Sequence, residues 1–208
     1  MKYISGIYGL LKGVIEAMLV FMHHLTGNFG LAIIGVTILM KIILLPLTLK
    51  QDKSMKSMKK LQPELDKLKE KYKGDPKMLN QKTMELYQQH KVNPAGGCLP
   101  LLVQLPILWA LFGVLRGGIV PQDSTFLWME LVKPDPFYIL PVLNGVVSFV
   151  QQKVMGSSDN PQMKNMMYMF PIMMVFISYK MPAGLQIYWL TSSLAGVIQQ
   201  YLIMKKGE

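Results

Sequence analysis

The chain has 208 residues, of which 51% are hydrophobic, 10% aromatic and 16% charged, with a formal net charge of +10. This apolar content exceeds that of ordinary soluble domains and points to an all-α polytopic membrane protein. The single cysteine, Cys98, excludes an internal disulfide and a cysteine metal cluster, and it reads as a small packing residue.

The positive charge does not require nucleic acid, because the bases fall between hydrophobic stretches. Lys50 to Lys91 supplies twelve of the 22 basic residues, and Lys153, Lys205 and Lys206 fall on the same side of the expected topology. The excess of lysine and arginine in cytoplasmic loops makes that side the cytoplasm. The N-terminus is then outside and the C-terminus inside.

Residues 3–25 carry Ile4, Ile7, Leu11, Val14, Met18 and Leu25 at helical spacing, with Lys12 and Glu16 as an i,i+4 pair on another face. The pattern predicts an amphipathic helix at the outer interface, with a spanning helix as the alternative. No secretory cleavage signal follows it. His23 and His24 read as interfacial polar residues.

The first span is 29–49. Within it, Lys41 precedes Lys50 by nine positions, which places it roughly 13 Å into a hydrocarbon core about 30 Å thick. A lysine there costs about 2.5–3.5 kcal/mol on insertion scales and faces water or a protein partner.

Residues 50–92 turn hydrophilic and predict a two-helix cytoplasmic hairpin. Met55, Met58, Leu61, Leu65, Leu68 and Tyr72 mark the first helix, which Pro63 breaks or kinks after Gln62. Gly74-Asp75-Pro76 supplies a helix stop, an N-cap and an N1 proline. Leu79, Thr83, Leu86, Tyr87 and His90 mark the second helix. The hairpin is open to three roles: a solvated spacer, a contact for anionic headgroups, or a contact for a ribosome or nascent chain.

Four further spans are expected at 98–115, 137–152, 166–180 and 184–204. The 137–152 and 166–180 stretches are short and favour a locally thinned bilayer. Residues 117–136 form an outer connection with a short interfacial helix expected around Phe126, Trp128 and Leu131. Residues 153–164 form a cytoplasmic loop containing the GSSDNPQ stretch at 156–162. Methionines 163, 166, 167, 169, 173 and 174 in and before the fourth span serve as packing or lipid contacts, or as an adaptable surface.

Polar side chains form stripes inside these spans. Thr37 and Lys41 share a face of the first; Gln104 lies midway along the second; Asn144, Ser148 and Gln151 line the third. Trp189, Ser192, Ser193, Gly196, Gln199 and Gln200 share a face of the fifth. Alone, each stripe could simply join helices by hydrogen bonds. Yet no acidic residue lies within any span to neutralise Lys41. An unpaired cation needs water, and water needs polar walls. The five spans are therefore expected to surround a hydrophilic groove lined by Lys41, Thr37, Gln104, Asn144, Ser148, Gln151, Tyr188, Trp189, Ser192 and Gln200. Its ligand would be acidic or polar and would itself enter the membrane.

The sequence has no Walker A loop, GxGxxG, HExxH, CxxC or nucleophile elbow, so neither an enzyme nor a cofactor or metal is expected.

Asn93-Pro94-Ala95-Gly96-Gly97-Cys98, then Pro100-Leu101-Leu102, Gln104 and Pro106, resembles the YidC family of membrane protein insertases. Asp135-Pro136-Phe137-Tyr138-Ile139-Leu140-Pro141, Leu61-Gln62-Pro63 and Gln199-Gln200 fit the same family, so the resemblance covers nearly the whole chain. It implies a groove closed to the outside and open to cytoplasm and lipid, in the bacterial inner membrane. Lys41 falls at the basic position of the first span, where the family usually has arginine, so the charge is kept and the bidentate fork lost. Thr37 and Trp189 match positions implied to touch substrate.

The implied partners are nascent membrane proteins, the lipid bilayer, the Sec translocon and the ribosome, with no specific nucleic acid or small-molecule ligand. The sequence lacks the preceding transmembrane segment and large outer domain of many bacterial members. Its short tail speaks against strong ribosome docking. A small transporter or channel, or an accessory subunit of the Sec translocon, is the alternative to an insertase.

Overall fold

A computed structural model describes residues 2–90, 92, 99–154 and 161–205. The Asn93–Cys98 motif, most of the 156–162 loop and Lys206 lie outside the described residues. So do the side chains of Met55, Met58, Met163, Met166 and Met167.

Eight helices and one small hairpin make up the described residues: α1 Lys2–Thr26, α2 Phe29–Lys60, α3 Gln62–Lys71, α4 Pro76–Gln89, α5 Leu99–Arg116, β1 Thr125–Phe126, β2 Met129–Glu130, α6 Ile139–Val154, α7 Pro161–Ser178 and α8 Ala183–Lys205. Among the described residues, Phe29–Gln51 is long and apolar enough to cross a bilayer, and Val103–Arg116 and Tyr168–Ser178 are shorter apolar stretches. The chain forms two compact units, residues 44–103 and the remainder.

In the 44–103 unit, α2 ends at Lys60 and α3 begins at Gln62. The helix break therefore comes just before Gln62. Pro63 occupies the first turn of α3, where a missing N–H costs nothing. Asp75 caps α4 by accepting a 3.0 Å bond from the Met78 amide, with Pro76 next in line. Leu65 and Leu86 are buried where α3 and α4 pack antiparallel, and His90 approaches Glu64 at 4.0 Å across their ends.

In the other unit, α1 turns into α2 at Gly27, whose φ of 67° lies in the left-handed region that glycine tolerates. Asn28 caps α2 through the Gly30 amide at 2.8 Å, and its Nδ2 donates to the Thr125 carbonyl at 3.2 Å. The His23 ring stacks on Phe29 with centroids 3.8 Å apart.

The face of α1 that packs is not its most apolar one. Ile15 and Leu19 are fully buried, while Tyr8 and Lys12 lie against Gly113 and Gly117 at the end of α5. Leu10, Val14, Phe21 and Leu25 are exposed. For a helix whose surroundings include lipid, apolarity alone does not select the packed face.

The connection after α5 departs from the expected interfacial helix. Thr125–Phe126 and Met129–Glu130 pair antiparallel around a turn with Leu127 at φ 54°. Two backbone bonds, Ala183 N–H to the Lys133 carbonyl at 2.7 Å and Gly184 N–H to the Leu131 carbonyl at 2.8 Å, tie the α7–α8 turn to this connection. A Cβ at Gly184 would sit 3.1–3.2 Å from Leu115, Leu131 and Ile33, so the absent side chain permits α2, α5 and α8 to meet there.

Helix α6 packs between α7 and α8. Its Gly145 lies so close to Val175 of α7 that any side chain would collide.

Candidate functional site

Some of the polar residues named from sequence are brought together in two places, one where α8 meets α5 and α2 and one where α8 meets α6. The first joins α2, α5 and α8. Gln104 Nε2 donates to Tyr188 Oη at 2.7 Å, and buried Tyr188 shares a small closed void with Thr37. The rest of that void is walled by Ile15, Leu19, Ile33, Val36, Met40, Ile107 and Leu111. Its volume of about 10 Å³ is at the lower limit for one water. This apolar packing seals the level of Thr37, whose hydroxyl is taken up by the Ile33 carbonyl at 2.6 Å.

Lys41 lies one helical turn beyond the seal. It is partly buried, and among the described residues no carboxylate is within ion-pair distance of it. Ile38 and Ile42, each the next residue along, turn about 100° away from Thr37 and Lys41 onto an exposed aliphatic face of α2. The buried side of the helix is mostly apolar, with Ala32, Ile33 and Val36 beside Thr37.

The second lies between α6 and α8. Asn144, completely buried, donates through Nδ2 to the Gln186 carbonyl at 3.3 Å, and Gln151 lies close against Gly196. Among the described residues, Asn144 Oδ1 and Ser148 Oγ on α6 and Gln186 Oε1 and Trp189 Nε1 on α8 are buried without a protein partner. Each unmet group costs about 1–3 kcal/mol in an apolar interior. Ser192, Ser193 and Gln200 are also buried on α8.

Gln186, which is not in the polar stripe read from the sequence, lies one helical turn before Trp189 on α8. Its exposure is 1%, and its Nε2 donates to the Met181 carbonyl at 2.8 Å.

On α7, Met169 and Met173 point outward beside Ile172 and Phe176, whereas Met174 is buried. The methionine-rich helix thus divides between surface and core.

Asp135 fixes the start of α6. It accepts from Trp128 Nε1 at 2.9 Å, Phe137 N–H at 3.1 Å and Leu140 N–H at 2.7 Å. Burial disfavours its charge, but these donors together with the Ile139 N–H outweigh burial and hold the carboxyl below its ordinary value.

The profile of the 60Kd inner membrane protein family matches residues 21–208. A membrane protein insertase YidC of Fusobacterium nucleatum subsp. nucleatum is 73% identical over 203 residues, which cover 98% of this chain and 99% of that one. The chain belongs to the YidC family. The YidC of Caldanaerobacter subterraneus subsp. tengcongensis is 42% identical over 91% of each chain. The YidC of Geobacter sulfurreducens is 44% identical over 95% of this chain but only 38% of its own. A crystal structure of active YidC insertase with its first transmembrane domain resolved superposes with TM-score 0.75 at 32% identity, covering 98% of this chain and 46% of that one. The chain thus spans nearly all of some YidC relatives and under half of others. YidC membership places it in the bacterial inner membrane, with membrane proteins as the substrate class.

Proposed function

We propose that the chain inserts nascent membrane proteins through a hydrated, positively charged groove, without nucleotide hydrolysis or covalent chemistry. The observation that carries this reading is Lys41: a partly buried cation with no carboxylate partner among the described residues, one turn along α2 from buried Thr37 and the apolar packing around it.

In this reading α2, α5, α6, α7 and α8 are the five spans, α1 lies at the outer interface, and α3 and α4 form the cytoplasmic hairpin. The N-terminus is outside and the C-terminus cytoplasmic. Helix α6, with 16 residues, extends about 24 Å, so the bilayer thins around it.

The polar tail of a substrate enters the groove from the cytoplasm and crosses a shortened hydrocarbon path. Lys41 attracts its acidic residues, and the hairpin makes the first capture. The apolar segment then leaves into lipid against α2, α6 or α8, driven by hydrophobic burial. The Sec translocon and the ribosome are the further partners of this reading.

Protease protection of a small single-spanning substrate added to liposomes tests it, using purified wild type, Lys41→Arg and Lys41→Leu, each checked for folding and ion leakage. Protection that requires the protein, survives Lys41→Arg and falls with Lys41→Leu supports the charged groove. Undiminished protection with Lys41→Leu removes the charge from the mechanism. A specific ion current without protection replaces insertion by conduction.

A further inference from the structure

At the C-terminal end of α5, a cleft of about 720 Å³ opens between α5, α7, the start of α8 and the outer connection. Its walls are apolar, formed by Leu108, Trp109, Phe112 and Ile177 among others, and Trp109 is 63% exposed. Two cations, Arg116 and Lys180, line it, and among the described residues no carboxylate does.

The other described cations around this end are already paired. Lys12 meets Glu16 at 3.3 Å and Lys133 meets Glu130 at 2.6 Å. Arg116 and Lys180 form no ion pair among the described residues, yet both line the same cleft. The Arg116 guanidinium lies 4.3 Å from the centroid of the Phe112 ring, which restrains a donor fork suited to phosphate at the top of an apolar wall.

Both cations sit at the C-terminal ends of helices, where they also complement the helix dipoles. Dipole complementation alone does not require the two charges to share a cleft, nor an exposed tryptophan and isoleucine below them. A basic rim over an apolar slot matches an amphiphile with an anionic head and a hydrocarbon tail.

We propose that this cleft holds an anionic phospholipid of the outer leaflet, with its phosphate between Arg116 and Lys180 and an acyl chain along Trp109 and Ile177. The leaflet assignment rests on the topology given under Proposed function. The lipid would fill the space between α5 and α7 and steady the outer ends of both helices.

Native mass spectrometry of the full chain tests this, after incubation with phosphatidylglycerol and phosphatidylcholine of matched chains. Wild type retains one more phosphatidylglycerol than the double variant R116Q/K180Q, and R116K/K180R retains it like wild type. Excess inorganic phosphate fails to displace it, because the tail contributes too. Equal phosphatidylglycerol retention by wild type and R116Q/K180Q overturns the proposal. Displacement by phosphate alone reassigns the cleft to a free anion, and displacement by an acidic substrate peptide reassigns it to polypeptide.

A separate arm reads topology. Thr125→Cys in a Cys98→Ser background is labelled by an impermeant maleimide from outside. Absence of that labelling removes the leaflet assignment and the topology behind it, whereas labelling with unchanged lipid retention removes the cleft proposal alone.

Discussion

Gln104 of α5 and Tyr188 of α8 are separated by 84 positions in sequence and joined by a 2.7 Å hydrogen bond. Tyr188 is almost fully buried and lines the void shared with Thr37, so this bond ties two helices at the level of Thr37 on α2. Interhelical bonds of this kind contribute about 0.6 kcal/mol on average in membranes and up to about 1.7 kcal/mol. Tyr188→Phe leaves Gln104 without this acceptor, and the expected loss is about 1 kcal/mol, or roughly 2–4 °C in thermal midpoint for a chain of this size. Tryptophan fluorescence during thermal unfolding in detergent measures it. Adding Gln104→Leu removes the orphaned amide, so the double variant should lose less than the two single losses combined. An unchanged midpoint for Tyr188→Phe rules out a stabilising bond.

Gly30 and Phe126 make a second testable pair. A Cβ at Gly30 would overlap the base of the Phe126 side chain, where the ring has no flexible end to move aside. Gly30→Ala should therefore cost about 1–3 kcal/mol through overpacking, despite the higher helix propensity of alanine. In a Phe126→Ala background the cost should shrink without vanishing, because the ring is gone while the Cβ of residue 126, itself 2.5 Å from the new methyl, stays. Equal costs in the two backgrounds would falsify the contact. The four-variant cycle by chemical denaturation in detergent isolates it.

Asp135 predicts a pH dependence. Its carboxyl is held below the ordinary value of 3.8, because the Leu140, Phe137 and Ile139 amides and the Trp128 indole outweigh the burial that opposes its charge. A carboxyl lowered in the folded state contributes stability that is fully present above the unfolded value. That stability is lost as pH falls through the folded one. Asp135→Asn should cost about 2–3 kcal/mol at pH 7, the scale of bonds to a charged acceptor. The gap between wild type and variant should narrow as pH falls below about 4. A gap that stays constant with pH assigns Asp135 a packing role only.

Features written in neighbouring residues were legible. Asp75-Pro76 specifies a helix start through one side chain and one missing donor, and that cap is present. The i,i+4 spacing of Thr37 and Lys41 put both on one face of one helix, whatever that helix packs against. Less local features were not legible. The hairpin at 125–130 turns through Leu127 at φ 54°, which lacks the Asn-Gly or Asp-Gly chemistry that signals such turns. The inward face of α1 was hidden because Ile15 and Leu19 are no more apolar than the exposed Leu10, Phe21 and Leu25. Gln186 escaped because one polar residue next to a turn carries little weight until the Asn144 side chain is seen to reach its carbonyl.

Asn144 and Ser148 separate a structural joint from a functional surface. Both are buried on α6, and Asn144 Oδ1 and Ser148 Oγ have no protein partner. If these helices were simply glued together, Asn144→Leu and Ser148→Ala would weaken the glue and lower stability, leaving insertion intact wherever the protein still folds. If the α6–α8 flank belongs to a hydrated groove, the pattern reverses. Each acceptor is then bonded to groove water, so its removal leaves nothing orphaned in the protein beyond the Gln186 carbonyl that Asn144 Nδ2 had met. Asn144→Leu also nearly conserves volume, so thermal stability should hold to within about 1 kcal/mol. The polar wall would meanwhile be interrupted beside Trp189, and protease protection of a single-spanning substrate should fall several-fold for the double variant. Thermal unfolding in detergent and protection in liposomes, measured on the same preparations, separate the two. Reduced stability with undiminished protection makes these residues interhelical fasteners and confines the groove to the α2–α5 flank of α8.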